Sequence, residues 1–224
     1  MQSGFELPWR RTDGALADRA AATVARRIVT GEIPPGELLT EAQVADLAGA
    51  SRTPAREAML QLANWRLVEL KPKRGALVTT ISPAVRRDLL EVRTMLETAA
   101  VRHLAERPDE QRRELGERLS ASLARQTRAI ADGDHLAFAE QDHAFHATIV
   151  AAWGNAVVAE TMAAYGPRLA RLIADTVTEH PESVDRFVEE HAALAALAES
   201  GDTEAFSNAI RAHVRVGHLV SEVA

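Results

Sequence analysis

The chain has 224 residues, enough for two modest domains with a core each, and 46% of them are apolar while only 4% are aromatic, the balance of packed Ala/Leu/Val helices. It contains no cysteine, which excludes disulfides, thiolate catalysis and sulfur-ligated metals. The net charge of −6 argues against a general nucleic-acid binder, but residues 1–80 carry 11 Lys/Arg against 9 Asp/Glu, a balance of +2, and the remainder 15 against 23, a balance of −8. The first part can approach phosphates and the second is repelled by them. No apolar run approaches the roughly 18 residues of a membrane helix. Residues 1–9 have neither the basic nor the apolar region of a signal peptide, so a soluble, cytoplasmic protein without membrane contact is expected.

The first predicted element is an amphipathic helix over 15–30, with Leu16, Ala20, Val24 and Ile28 on one face and Gly31 as its stop. A turn, Ile33-Pro34-Pro35-Gly36, leads to Thr40, which caps a short helix through Leu47 with Gln43 in the capping-box position. Gly49-Ala50 turns into Ser51-Arg52-Thr53-Pro54-Ala55-Arg56-Glu57-Ala58. Here Thr53 reads as N-cap and Pro54 as the first helical residue. That places Arg52 and Arg56 at the end a helix-turn-helix pushes into the major groove, while Ala58, Met59, Leu62 and Ala63 anchor the opposite face. Strands over 67–70 and 76–80 flank Lys71-Pro72-Lys73-Arg74-Gly75, a hairpin tip with three cations. Three helices and a basic hairpin predict a winged helix-turn-helix over residues 1–81. Arg52, Thr53 and Arg56 are its candidate base and phosphate contacts, Lys73 and Arg74 its wing contacts, and Gly75 the point where the wing backbone can approach a groove. Singly these are ordinary surface residues; in this order they point to double-stranded DNA.

Ile81-Ser82-Pro83 is the predicted seam, and residues 82–224 read as an all-helical bundle with helices over 83–106, 109–131, 134–152, 156–178, 183–199 and 203–223. Gly166-Pro167 is expected to kink the fourth of these. Asp142 and His146 lie one turn apart on one helix face. His191 and His213 each belong to an apolar stripe of a later helix. Converging, the four would offer three nitrogens and one oxygen, a set suited to Zn2+ and related divalent ions such as Ni2+ or Mn2+. An inward histidine also serves as a satisfied core residue, and the residues alone leave both readings open. The histidines at 103, 135, 143, 180 and 218 read as surface or cap residues. Arg93, among Leu89, Leu90 and Leu96, needs a carboxylate partner if buried, supplied either by the bundle or by a ligand.

Over roughly residues 14–222 the chain resembles the GntR family of bacterial transcription regulators, in particular the FadR subgroup with an all-helical FCD ligand-binding domain. The first motif runs from Gly31-Glu32-Ile33-Pro34-Pro35-Gly36 through Leu39-Thr40-Glu41 to Ser51–Ala58. The second comprises Asp88-Leu89, Glu91, Arg93, Leu96-Glu97, Asp142-His143-Ala144-Phe145-His146, Asn155, Glu190-His191, Gly201-Asp202 and Arg211-Ala212-His213. One departure is Asn64-Trp65-Arg66-Leu67, where the family usually has a glycine before Leu67. The resemblance implies DNA contacts at Arg52, Thr53, Arg56 and Gly75, metal ligation by Asp142, His146, His191 and His213, and an effector pocket lined by Arg93 that takes a small organic carboxylate. It further implies a homodimeric, ligand-responsive repressor acting on operator DNA. The alternatives are a helical metalloenzyme using the Asp/His site, for which no general base is evident, and a purely interacting protein.

Overall fold

The computed structural model describes residues 7–10 and 14–218, with side chains to residue 215. The first helix, α1 (Leu16–Val29), buries Ala20, Val24 and Ile28 against α2 (Glu41–Ala48) and α3 (Arg52–Asn64). The Thr40 capping box forms as predicted: the Thr40 hydroxyl accepts from the Gln43 amide at 3.2 Å, and the Thr40 amide donates to Gln43 Oε1 at 2.8 Å. The start of α3 differs from the expectation. Ser51, not Thr53, is the N-cap, without a side-chain cap bond, and the helix already includes Arg52. Pro54 is tolerated at the third helical position because the amide it lacks has no intrahelical acceptor there anyway.

The wing is a hairpin of β2 (Val68–Lys71) and β3 (Gly75–Val78), joined by the two-residue β1 (Leu38–Leu39) into an antiparallel sheet ordered β1-β3-β2. Strand β1 was not foreseen, because two residues leave no periodicity to read. Arg66, where the family's usual glycine is missing, adopts φ 58°. The chain thus keeps a left-handed turn into the wing at a cost of about 1–2 kcal/mol. Gly75, at φ 124°, has a packing role: a Cβ there would lie 2.1 Å from the Leu39 carbonyl oxygen, so glycine is what lets β1 close on β3.

Beyond the seam, Ser82 caps α4 (Pro83–Ala105) by accepting from the Val85 amide at 3.3 Å. Then follow α5 (Asp109–Ala131), α6 (His135–Ala151), α7 (Ala156–Glu179), α8 (Val184–Ser200) and α9 (Thr203–His218). The expected continuation of α9 to residue 223 lies outside the described residues. Helix α7 runs without interruption through Gly166-Pro167, where the sequence predicts a kink. Helix α6 is central, packed against α4, α5 and α7.

Among the described residues, hydrogen bonds join the halves at two places. A single 3-10 turn, Pro8–Arg10, buries Trp9, whose indole donates to Glu140 Oε1 of α6 at 2.7 Å, while Arg10 Nε donates to Glu140 Oε2. On the other side, Arg171 of α7 donates to the Thr79 carbonyl at 2.8 Å.

Substituting Gly75→Ala should destabilise the winged domain by on the order of 2 kcal/mol or more, since both the positive φ and the backbone clash must be relieved. Thermal unfolding checks this, and a melting temperature equal to that of the native chain would contradict it.

Candidate metal centre and nucleic-acid interface

The structure brings Asp142, His146, His191 and His213 together inside the bundle, all buried, with one ligand atom from each lying within 4.8 Å of the others. Helix α6 supplies the first two one turn apart, α8 the third and α9 the fourth. His146 Nε2 lies 3.1 Å from His191 Nε2, His191 Nε2 is 3.4 Å from Asp142 Oδ1, and His146 Nε2 is 3.9 Å from the same oxygen. These separations bracket the roughly 3.4 Å kept by tetrahedral ligands about 2.1 Å from one ion.

The outer ring nitrogens explain why the inner ones converge. His146 Nδ1 lies 2.7 Å from Glu97 Oε2, His191 Nδ1 is 2.7 Å from Gln126 Oε1, and His213 Nδ1 is 2.7 Å from Glu190 Oε2. With each Nδ1 donating to an oxygen, each Nε2 turns a lone pair inward, the arrangement that fixes metal-ligating imidazoles. His146 Nε2 and His191 Nε2, 3.1 Å apart, need either a proton or a cation between them, and both oxygens of Asp142 are buried without a hydrogen bond. The residues present therefore fit a divalent cation.

Arg93 is 1% exposed. Its Nε lies 3.4 Å from Glu97 Oε1 and its NH1 3.6 Å from Asp142 Oδ2, so the bundle supplies its carboxylates. Its Nε and NH2 nevertheless make no hydrogen bond. Burial pushes the Glu97 carboxyl up to about 8, with Arg93 opposing and Asp142 adding to the rise. Burial likewise raises Asp142 to about 6 against the pull of Arg93. It holds His191 well below the usual imidazole range, with His213 and Arg93 adding to the effect, and lowers His213 despite the Glu190 hydrogen bond.

Sequence reading missed Glu97, Gln126 and Glu190 as positioning residues. Gln126 carried a signal, being a polar residue on the inward stripe of Leu115, Leu119, Ser122 and Ala129. One reading is corrected: His143, expected at the surface, is 2% exposed, with its Nδ1 unpartnered and its pKa lowered to about 4 by burial and then by Arg93. A Cβ on Gly166 of α7 would meet His143 Nε2 at 2.7 Å. The glycine is therefore what allows α7 to close over the ring.

At the other end of the molecule Arg52, Thr53 and Arg56 are exposed on the first turns of α3, and Lys73 and Arg74 are exposed at the wing tip. A cleft of about 590 Å3 separates them, with Lys71 and Gly75 on its wall. Only Glu41, 4.0 Å from Arg56, and Glu69, 2.6 Å from Lys71, offset this charge through ion pairs with the cleft's cations among the described residues.

A recognition helix and basic wing joined to a helical bundle with a buried, cation-seeking His/Asp cluster define a DNA-binding regulator with an internal sensor. Residues 16–78 match the gntR family of bacterial regulatory proteins and residues 88–216 match the FCD domain, and the chain belongs to the GntR family of transcription regulators with an FCD domain. It is 32% identical over 188 residues to an uncharacterized HTH-type transcriptional regulator in an unstable DNA locus of Streptomyces ambofaciens, covering 84% of this chain and 77% of that one. It is 33% identical over 134 residues to the gluconate operon transcriptional repressor of Bacillus subtilis, covering 60% and 54%. A GntR transcriptional regulator from Rhodococcus sp. RHA1 shares the fold with a TM-score of 0.75 at 18% identity, over 93% of this chain and 99% of that one. The family regulates transcription by binding operator DNA and small-molecule effectors, and the metalloenzyme alternative finds no support among these relatives. No helix among the described residues is long and apolar enough to cross a membrane.

With the metal chelated, folded Glu97 keeps its proton to about pH 8, whereas the unfolded chain releases it near 4.5. The folded state binds more protons across that window, so stability falls as pH rises through it. His143, His191 and His213, each lowered by burial, act in the opposite sense, but only below about 6.5. Between pH 6.5 and 8 the chelated protein should lose up to ~2 kcal/mol, seen as a falling Tm. Glu97→Gln should flatten the slope, and a Tm that rises over this window would contradict the assignment.

Proposed function

We propose that this chain is a homodimeric, cytoplasmic, effector-responsive repressor in which residues 1–81 bind operator DNA and residues 82–224 sense a small organic carboxylate. The observation that carries the sensing half is the pair of inward imidazole nitrogens at 3.1 Å beside an arginine with unpartnered donors. Asp142, His146, His191 and His213 would hold a divalent ion, with zinc favoured by three nitrogens and one oxygen and nickel or manganese as alternatives. Bound there, the ion supplies electrostatic attraction for an anionic ligand oxygen. Arg93 offers NH2 to a second oxygen of the same carboxylate, and its fixed planar fork suits that role. His143, neutral and with Nδ1 unpartnered, adds a polar group to the same neighbourhood. The Bacillus subtilis relative is named for a gluconate operon, which supports a carboxylate as the effector class.

On the output side, Arg52 and Arg56 enter the major groove, Thr53 takes a phosphate at the start of α3, and Lys73, Arg74 and Gly75 bring the wing to the neighbouring groove. Two heads then read a pseudo-palindromic site. A groove between α4 and α9, floored by Leu90 and Val214 and edged by Met95, which is 63% exposed, supports pairing of two copies through the helical domain.

With a duplex selected from a random pool, log affinity should fall steeply and linearly with log salt. Arg52→Ala should cost about 1–3 kcal/mol and relax sequence preference, whereas Lys73→Ala should weaken binding evenly across sequences; fluorescence anisotropy measures both. On the sensing side, Asp142→Asn should reduce the metal content of the purified protein and abolish its thermal stabilisation by small organic acids, which the metal-loaded native chain should show. Chelation that leaves both effector affinity and operator affinity unchanged would refute the reading.

A further inference from the structure

Three arginines surround one small pocket at the joint between the winged domain and the helical domain. We propose that Arg66, Arg168 and Arg171, with Thr79 and Thr80, form an anion site for a phosphate group, separate from the Asp/His cluster and independent of it. The pocket is about 160 Å3, the room of roughly five waters at about 30 Å3 each. A tetrahedral oxyanion with part of its hydration shell has that size.

Two donors, Nε of Arg168 and Nε of Arg171, are in place without a hydrogen-bond acceptor, whereas the Thr79 hydroxyl already donates to the Arg66 and Leu67 carbonyls and only lines the wall. Arg171 is 2% exposed and spends NH1 on the Thr79 carbonyl, but its Nε makes no hydrogen bond, and Asp175 stands 4.0 Å away. Arg168 rests its guanidinium over the Tyr165 ring at 5.2 Å, and its own Nε is buried without a partner. Neither Arg66 nor Arg168 forms an ion pair among the described residues. Burial lowers the Arg168 pKa, Tyr165 opposes this, and Arg66 lowers it further, so the two cations disfavour each other. A buried donor left without an acceptor costs more than an ordinary hydrogen bond gains. One oxyanion would satisfy the Nε of buried Arg171 and that of half-buried Arg168 and screen the repulsion, and the guanidinium fork matches phosphate geometry.

The site is not the reading face. Arg66 follows the C-terminal end of α3, whose 13 residues place it about 20 Å from Arg52 along the helix. The walls come from both sides of the seam, Arg66 and Thr79 from the wing and Val85, Arg168 and Arg171 from the helical domain. A phosphate held between them fixes their relative placement, so its binding and operator binding are reciprocally linked.

The test uses the full, chelated chain titrated with inorganic phosphate, followed by calorimetry and phosphorus NMR, with chloride at equal ionic strength as control. One saturable phosphate per chain is expected. Arg168→Ala and Arg66→Gly, the latter keeping the left-handed backbone without strain, should each weaken it at least tenfold. The Arg52→Ala/Arg56→Ala double variant and Asp142→Asn should retain it, which separates this site from the operator and metal sites. Glycerol phosphate binding more tightly than the free ion supports a phosphorylated metabolite as the source; equal or weaker binding supports the ion itself. No saturable binding in the millimolar range, binding unchanged in both pocket variants, or binding lost with Arg52 and Arg56 would overturn the proposal.

Discussion

Two imidazole Nε2 atoms facing each other across 3.1 Å, on rings buried inside the bundle, are the constraint around which the helical domain is arranged. Nothing about bundle packing asks for them. Apolar residues of similar volume would fill the space without the cost of buried Asp142 and Glu97 carboxyls, and buried ionic groups are often replaced by apolar ones at no loss of stability. The arrangement nevertheless recruits five of the six helices: α4 through Arg93 and Glu97, α5 through Gln126, α6 through Asp142 and His146, α8 through Glu190 and His191, and α9 through His213. Each ring is fixed at Nδ1 by a different neighbour, so the three Nε2 positions are set by three separate hydrogen bonds rather than by one flexible loop. Such preorganisation is costly without a bound cation and makes physical sense with one.

Most of the fold could be read from the sequence because its signals are local. Thr40 and Gln43 form the capping box that their spacing implies, Ser82-Pro83 opens α4, and Lys71 to Gly75 forms the wing tip. The errors fall where local signals compete or vanish. Ser51 and Thr53 are both good caps two residues apart, and the structure uses the first. Strand β1 is two residues long and exists only because Gly75 lets Leu39 approach.

That Asp142, His146, His191 and His213 face inward was legible from one-turn spacing and apolar stripes, while their reading as a metal site rested on the family resemblance. The shell that orients them was not legible, since Glu97, Gln126 and Glu190 reach across helices and spacing along one chain segment carries no such information. His143 shows the same limit. Helix α6 is buried at Phe138, Ala139, Glu140, Asp142, His143, Phe145 and His146, on almost every side. A helix wrapped by neighbours has no polar face against which an inward residue stands out.

That burial also gives α6 its place between input and output. Asp142 and His146 belong to the buried Asp/His cluster, while Glu140, two residues before Asp142 and so on a different face, receives Trp9 and Arg10 from the segment preceding α1. Helix α7, packed on α6, holds the end of the wing through Arg171 and Thr79. Coupling between distant sites is typically 1–3 kcal/mol, or about 5- to 150-fold in affinity. One hydrogen bond to a charged group contributes about 1.5–3 kcal/mol. A ligand that favours an arrangement with either tie lengthened thus needs to alter only one or two such bonds to change operator affinity by the usual regulatory factor. In the proposed reading the metal end acts on α6 and the phosphate end acts on Arg171. The heads then answer to both, because each tie fastens a different edge of the same winged domain.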